Sequence, residues 1–298
     1  MKNIDLSNPF NGSKYLKLFE PSKRYGLSFI KNLSIGKNYL GFEIKSNNHG
    51  LRGPDNIKSN LVVCGTSFAM GMSNDNGDNW YDFLDDKKFL NVGFPVGTIN
   101  HINRIEDIYE GSYDKLIYLN HPNNFVLSNK YMIAYEKGLS IFSVMGWKTS
   151  FFSTLKLYFI WKIKKIIYLI KKIYLKIYYQ NCSYLINTKY SFFDINKNAD
   201  FAKLEDENLS RLFKLFKKVI AVRVPVKEQL TKHKSHNLEN LNINYNYNYS
   251  FFKNICDKNS VKILDLKSNF NLTDYHENDT HWNKSGNHKF YQLIKSYL

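Results

Sequence analysis

Short apolar runs that alternate with helical patterns constrain the fold of this chain most strongly. The predicted strands cover residues 61–64, which are apolar throughout, and the largely apolar segments 88–92, 115–119, 219–224 and 261–266, and each is followed by glycine, proline or polar residues. Helices are predicted at residues 78–86, 98–109 and 283–298. Strands that alternate with helices form parallel sheets with helices on both faces. The pattern therefore predicts an α/β fold with a central parallel sheet.

Polar residues follow the predicted strands at the positions where such sheets carry function. Functional groups gather at the carboxyl ends of parallel strands. Ser67 follows the first strand, residues 93–97 follow the second, and residues 120–124 follow the third. Asp279 and His281 lie in a loop before the last predicted helix. We therefore expect all four elements at one edge of the sheet.

Ser67, His281 and Asp279 are the residue types of a serine nucleophile, its base and the acid that orients the base. A serine alcohol is a poor nucleophile until an adjacent base takes its proton and a third group orients that base. A turn serine can instead cap the next helix, and a histidine before a helix can simply be a surface residue. The agreement of several elements at one edge favours the catalytic interpretation.

Composition limits the class of protein. The 298 residues could form one large domain or two small ones. We predict one domain over 1–298, with a leader segment at 1–60 and a helical insertion at 128–215. The three cysteines give no disulfide or zinc spacing, and no motif for a metal, a phosphate or another cofactor is present. The N-terminus lacks a signal peptide and no apolar stretch is long enough to span a membrane, so a cytoplasmic location is expected.

The formal net charge of +16 leaves several interpretations open. It can indicate nucleic acid or an anionic membrane, but heavy use of Lys, Asn, Ile and Tyr explains it equally well. The chain lacks an aromatic-basic nucleic-acid motif, so no nucleic-acid partner is expected. Residues 155–179 carry seven lysines and no acid, in an amphipathic helical pattern. Packing on protein is favoured for this helix, and peripheral contact with a membrane is the alternative.

Four segments, in this order, resemble the SGNH/GDSL hydrolase superfamily: Gly-Thr-Ser-Phe at 65–68, Asn-Val-Gly-Phe-Pro-Val-Gly at 91–97, Asn-His-Pro-Asn-Asn at 120–124 and Asp-Thr-His-Trp at 279–282. The segment at 47–53 also resembles a leader of bacterial members. The resemblance covers residues 47–125 and 261–298. It implies a flavodoxin-like three-layer α/β/α sandwich, a serine nucleophile and an acyl-enzyme intermediate.

The resemblance also assigns roles to individual residues. Ser67 matches the nucleophile, His281 the general base and Asp279 the acid that holds the imidazole. The oxyanion would bind the backbone N–H of Ser67, the N–H of Gly97 and the side-chain amide of Asn123.

Several positions depart from the family pattern. Thr66 stands where the family usually has aspartate, and His121 and Asn124 replace the glycine and the aspartate of Gly-x-Asn-Asp. The usual spacing would place the second backbone donor at Val96, whose N–H could serve as well. Many members carry the acid three residues before the histidine, which here is Asn278.

The predicted function is a serine-dependent hydrolase that acts on an O-acyl ester, with acetyl favoured. The Asp-Thr-His-Trp segment is similar to enzymes that O-acetylate exopolysaccharides, so an acylated glycan or small molecule is the expected substrate. Two alternatives stay open: an O-acyltransferase acting on a surface polysaccharide or its precursor, and a non-catalytic SGNH-like binding domain.

Overall fold

The computed structural model describes residues 19–22, 24–37, 43–72, 74–84, 89–121, 124–125, 199–230, 236–276 and 280–298. The basic segment at 155–179 and most of the predicted insertion at 128–215 lie outside these residues, as do Asn123 and Asp279. No helix in the described ranges combines the length and apolar composition needed to cross a membrane.

A five-stranded parallel sheet forms the centre of the fold, as the apolar runs predict. Its strands are β5 (Leu61–Gly65), β6 (Leu90–Asn91), β7 (Lys115–Asn120), β8 (Lys218–Arg223) and β9 (Lys262–Asp265). Their spatial order is β6-β5-β7-β8-β9, and all four neighbouring pairs are parallel. In chain order this is 2-1-3-4-5, the flavodoxin-like arrangement, in which the direction of winding reverses beside the first strand.

Alternation along the strands divides the core into two layers. In β5, Val62 and Cys64 face one apolar cluster, whereas Leu61 and Val63 face the other. Successive side chains of a strand point to opposite faces, so a strand buried on both faces is apolar at every position. This is why residues 61–64 form an uninterrupted apolar run.

Helices cover both faces of the sheet and complete the three layers. They are α1 (Ser67–Met70), α2 (Thr98–Ile108), α3 (Ala199–Lys214), α4 (His236–Lys258) and α5 (Lys284–Ile294). Side chains from α2, α3 and α4 join the first cluster, and those from α1 and α5 join the second. Helix α3 is the C-terminal part of the predicted insertion, and its apolar face packs into the core of the sandwich.

The helix predicted at 78–86 is wrong. The described residues there form a 3-10 helix at Trp80–Phe83, followed by extended backbone at Leu84. Trp80 and Tyr81, the first two residues of this turn, are both buried. The Asp82 carboxylate accepts the N–H groups of Gly77 and Asn79, which closes a tight turn instead.

The leader forms two antiparallel pairs, β1 (Phe19–Ser22) with β2 (Gly26–Phe29) and β3 (Ser34–Lys37) with β4 (Glu43–Lys45). The buried guanidinium of Arg104, on α2, donates to Leu27 O at 2.8 Å and to Ser28 Oγ at 2.9 Å. The first hairpin is therefore tied to the sandwich by a buried cation.

Candidate active site

Ser67 and His281 meet at the carboxyl end of β5. The Nε2 atom of His281 lies 2.8 Å from Ser67 Oγ, although the two residues are 214 positions apart in the chain. Both side chains are partly buried. With the proton on the alcohol, Ser67 donates to the imidazole, which is the arrangement a general base requires. The sequence-based pairing of these two residues is present in the structure.

A sharp turn at Gly65 presents Ser67. Gly65 has φ +136°, and a Cβ there would lie 2.6 Å from Leu119 O. Only glycine combines that backbone conformation with so close an approach to a neighbouring strand. The turn starts the short helix α1 at Ser67, and Gly71, with φ +76°, ends it.

His281 lies on a short hairpin. Tyr275 and Trp282 form an antiparallel bridge, and His276 N–H donates to His281 O at 3.1 Å. Asn283 N–H donates to Asp274 O at 3.0 Å, which continues the pairing. The ring of Phe68 packs against the imidazole, with centroids 5.0 Å apart. These contacts hold the imidazole beside α1.

The Asn-Val-Gly segment at 91–93 docks against α1, the helix that begins at Ser67. Asn91 Nδ2 donates to Ala69 O at 2.9 Å, and Asn91 Oδ1 accepts the N–H of Gly93 at 2.9 Å. Phe94 N–H donates to Gly65 O at 2.9 Å. The asparagine and glycine of this segment therefore fix its place beside α1 and the Gly65 turn.

The two backbone amides considered for the oxyanion already have acceptors within the chain. Gly97 N–H donates to Asn100 Oδ1 at 3.2 Å, and Val96 N–H donates to Phe94 O at 2.7 Å. Phe94 O also contacts Nε2 of His101 at 3.0 Å. Burial lowers the pKa of His101 to about 3, so this imidazole is neutral near pH 7 and Nε2 is its donor. Gly97 can serve an oxyanion only if the Asn100 side chain moves away.

Two departures from the family pattern contact each other. Thr66 Oγ1 donates to Asn124 Oδ1 at 2.8 Å, and both side chains are buried. Asn124 Nδ2 donates to Tyr118 Oη at 3.0 Å and to Leu119 O at 3.2 Å. A hydroxyl and an amide thus form a neutral, hydrogen-bonded pair at the two positions where aspartates were expected. The pair joins the nucleophile turn to the loop that begins after β7.

The third departure, His121, belongs to the same ring stack as the candidate base. Its ring stacks on the ring of Phe68, with the centroids 4.9 Å apart, and Phe68 also packs against the imidazole of His281. Burial, and then the positive charge of His281 when protonated, lower the pKa of His121 to about 3. His121 therefore stays neutral near pH 7.

Two predicted site residues, Asp279 and Asn123, lie outside the described residues. Their places in the triad and in the oxyanion hole stay predictions. Among the described residues, no group of three or more His, Cys, Asp or Glu side chains is arranged to hold a metal ion.

The structure adds Arg52 and Asn74, to which the sequence had given no role. Arg52 is buried and donates to Gly71 O, at the end of α1, and to Asn74 O at 3.1 Å. Asn74 is also buried, and it contacts the hairpin that carries His281. The only sequence signal for a role of Arg52 was its place in residues 47–53, which resemble a leader segment of bacterial SGNH proteins.

Comparisons with known proteins give structural likeness without sequence similarity. No family model and no curated protein sequence matches the chain. An acetyl xylan esterase, AlAXEase, is 12% identical, with a TM-score of 0.42 over 80% of this chain and 99% of that one. An extracellular lipase from Streptomyces rimosus is 9% identical, with a TM-score of 0.43 over 80% of this chain and 99% of that one. Identities and TM-scores this low do not identify what the site does, so its function is inferred from the geometry of its own residues.

Proposed function

We propose that this chain is an SGNH/GDSL-type serine hydrolase that cleaves an O-acyl ester, with acetyl as the favoured acyl group. The observation that carries the proposal is the 2.8 Å contact between Ser67 Oγ and His281 Nε2. A side-chain pair of this kind, at the carboxyl end of a parallel strand, is the arrangement of an activated nucleophile. The short contact also favours an enzyme over a non-catalytic binding domain.

In the proposed reaction, Ser67 Oγ attacks the acyl carbonyl while His281 Nε2 takes the hydroxyl proton. Asp279 would accept a hydrogen bond from Nδ1–H, whose proton stays on the ring, and would stabilise the imidazolium. The oxyanion of the tetrahedral intermediate would bind the Ser67 N–H and the Asn123 amide, with Gly97 joining after Asn100 releases it. Collapse of the intermediate leaves an acyl ester on Ser67, and His281 returns the proton to the departing alcohol.

The second half of the reaction separates hydrolase from transferase. Water activated by His281 would release a carboxylic acid, whereas a sugar hydroxyl would receive the acyl group. Resemblance of the Asp-Thr-His-Trp segment to polysaccharide O-acetylating enzymes supports the second candidate, with an acylated glycan as product. Acetyl release in the presence and absence of an oligosaccharide acceptor measures the partition between the two.

The test of the proposed function is hydrolysis of p-nitrophenyl acetate by the purified protein and by the variants Ser67→Ala and His281→Ala. Ser285→Ala and His288→Ala are matched controls, since both residues are exposed and lie on α5. We expect the first two variants to lose at least about a thousandfold in kcat/KM and the controls to retain wild-type rates. Equal activity in all five proteins would refute the serine mechanism.

A further inference from the structure

One buried side chain outside the proposed triad connects the nucleophile's segment to that of the base. Asn74 lies in the loop after α1 and is 4% exposed. Its Nδ2 donates to Trp282 O at 3.0 Å and to Met72 O at 3.1 Å. Its Oδ1 lies 3.4 Å from Nε2 of His276. Asn74 therefore contacts both strands of the hairpin that carries His281.

These contacts lead to the backbone of Ser67 and to the backbone of His281 through one covalent or hydrogen-bonded step on each side. Trp282 is the residue after His281, and His276 N–H donates to His281 O at 3.1 Å. On the other side, Met72 N–H donates to Ser67 O at 2.9 Å. The side chain of Asn74 thus joins the backbone that carries the alcohol to the backbone that carries the imidazole.

The loop around Asn74 is itself anchored. The Arg52 guanidinium donates to Asn74 O at 3.1 Å and to Gly71 O, which lie on either side of Met72. A buried, multiply bonded guanidinium holds this backbone in one arrangement, so the amide of Asn74 points in a fixed direction. A fixed donor can in turn fix the hairpin.

We propose that Asn74 is a positioning residue that sets the distance and orientation of His281 relative to Ser67. The proposal rests on the proposed function for its catalytic consequence. Displacement of a catalytic group by about 1 Å can reduce the rate by about a hundredfold. Loss of the Asn74 amide should therefore lower kcat by about ten- to a hundredfold and leave KM nearly unchanged, because Asn74 acts through His281 and does not touch the acyl group.

The experiment compares Asn74→Asp and Asn74→Ala with the control Asp75→Ala. The aspartate variant keeps the shape of the side chain but turns an oxygen toward Trp282 O, where the amide donated. Asp75 is the next residue in the same loop, and its exposed carboxylate accepts the N–H of Glu43, away from the hairpin. Each kcat is taken per folded molecule, from the circular dichroism signal at the assay temperature, so a partly unfolded variant still tests the proposal.

A second readout does not need turnover. In the wild-type background, Ser67→Ala removes the contact with Nε2 and should shift the His281 imidazole resonance in a heteronuclear NMR spectrum. In the Asn74→Asp background the same change should leave that resonance nearly still, because the contact is already lost. In the Asp75→Ala background the shift should persist.

The outcomes separate this proposal from the proposed function. If wild-type protein shows no Ser67-dependent hydrolysis but Asn74→Asp abolishes the NMR response, the hydrolase proposal fails and the positioning role stands. If hydrolysis depends on Ser67 while Asn74→Asp retains kcat within twofold and the full NMR response, the positioning role is overturned. An effect on KM alone would also overturn it.

Discussion

Gly93→Ala tests how closely the loop after β6 is packed against α1. A Cβ on Gly93 would lie 2.5 Å from Ala69 Cβ and 2.8 Å from Met70 N. Gly93 has no positive φ, so alanine is allowed by its backbone and would stabilise the fold by about 0.4–1 kcal/mol through chain entropy alone. Overpacking typically costs about 1–3 kcal/mol. The cost of overpacking should therefore exceed the gain from chain entropy.

We expect Gly93→Ala to destabilise the protein by about 1–2 kcal/mol, which lowers Tm by roughly 2–3 °C for a chain of this size. Because Ala69 and Met70 belong to α1, the same contact should displace Ser67 and slow its reaction with a fluorophosphonate probe. Thermal unfolding followed by circular dichroism measures the first effect, and the rate of covalent labelling measures the second.

Two further variants decide whether the contact is the cause. Gly93→Ala combined with Ala69→Gly removes the nearest atom and should recover part of the labelling rate, although glycine in α1 costs up to about 1 kcal/mol. Gly77→Ala is the control, since Gly77 has φ +97° and no atom would lie within 4 Å of its Cβ. It should lose stability through backbone strain alone and label normally. A Gly93→Ala protein as stable as wild type would refute the packing argument.

Two other predictions concern buried polar groups. Thr66→Val keeps the shape of the side chain but removes the donor to Asn124 Oδ1, and it should cost about 1–3 kcal/mol in chemical denaturation; a cost below about 0.3 kcal/mol would contradict the importance of this pair. In the folded protein the pKa of His101 is lowered from the ordinary 6.5 to about 3. Below pH 6.5 the unfolded chain therefore binds a proton that the native state does not bind. The free energy of unfolding should fall as the pH drops below 6.5, by up to about 1.4 kcal/mol per pH unit. His101→Gln removes this titration, so between pH 6 and 4 the free energy of unfolding in urea should depend on pH less steeply, by the amount that one proton contributes. An unchanged slope would show that the folded imidazole titrates normally.

The sheet could be predicted because its signal is local. The segments that form the central sheet are rich in apolar residues and are ended by turn residues, and β5 is apolar at every position because both of its faces are buried. The error at 78–86 has a local cause as well. There the Asp82 carboxylate accepts two backbone N–H groups and closes a 3-10 turn.

The site could be predicted only in part. The pairing of Ser67 with His281 came from resemblance and from the shared edge of the sheet, since no periodicity connects residues 214 positions apart. Arg52 and Asn74 lie among polar and glycine residues that predict exposed turns, and only the packed structure shows that both are buried. Likewise, only the structure shows that Thr66 and Asn124, which depart from the expected motifs, form a hydrogen bond with each other.

The 214-residue separation of Ser67 from His281 also has a consequence for how the protein is made. Ribosomes add about 5–20 residues per second, so roughly 10–40 s pass between synthesis of the serine and synthesis of the histidine. During that interval the nascent chain carries an alcohol with no imidazole to activate it. On the proposed function, the chain could therefore react with an ester only after the segment that carries His281 has docked beside α1.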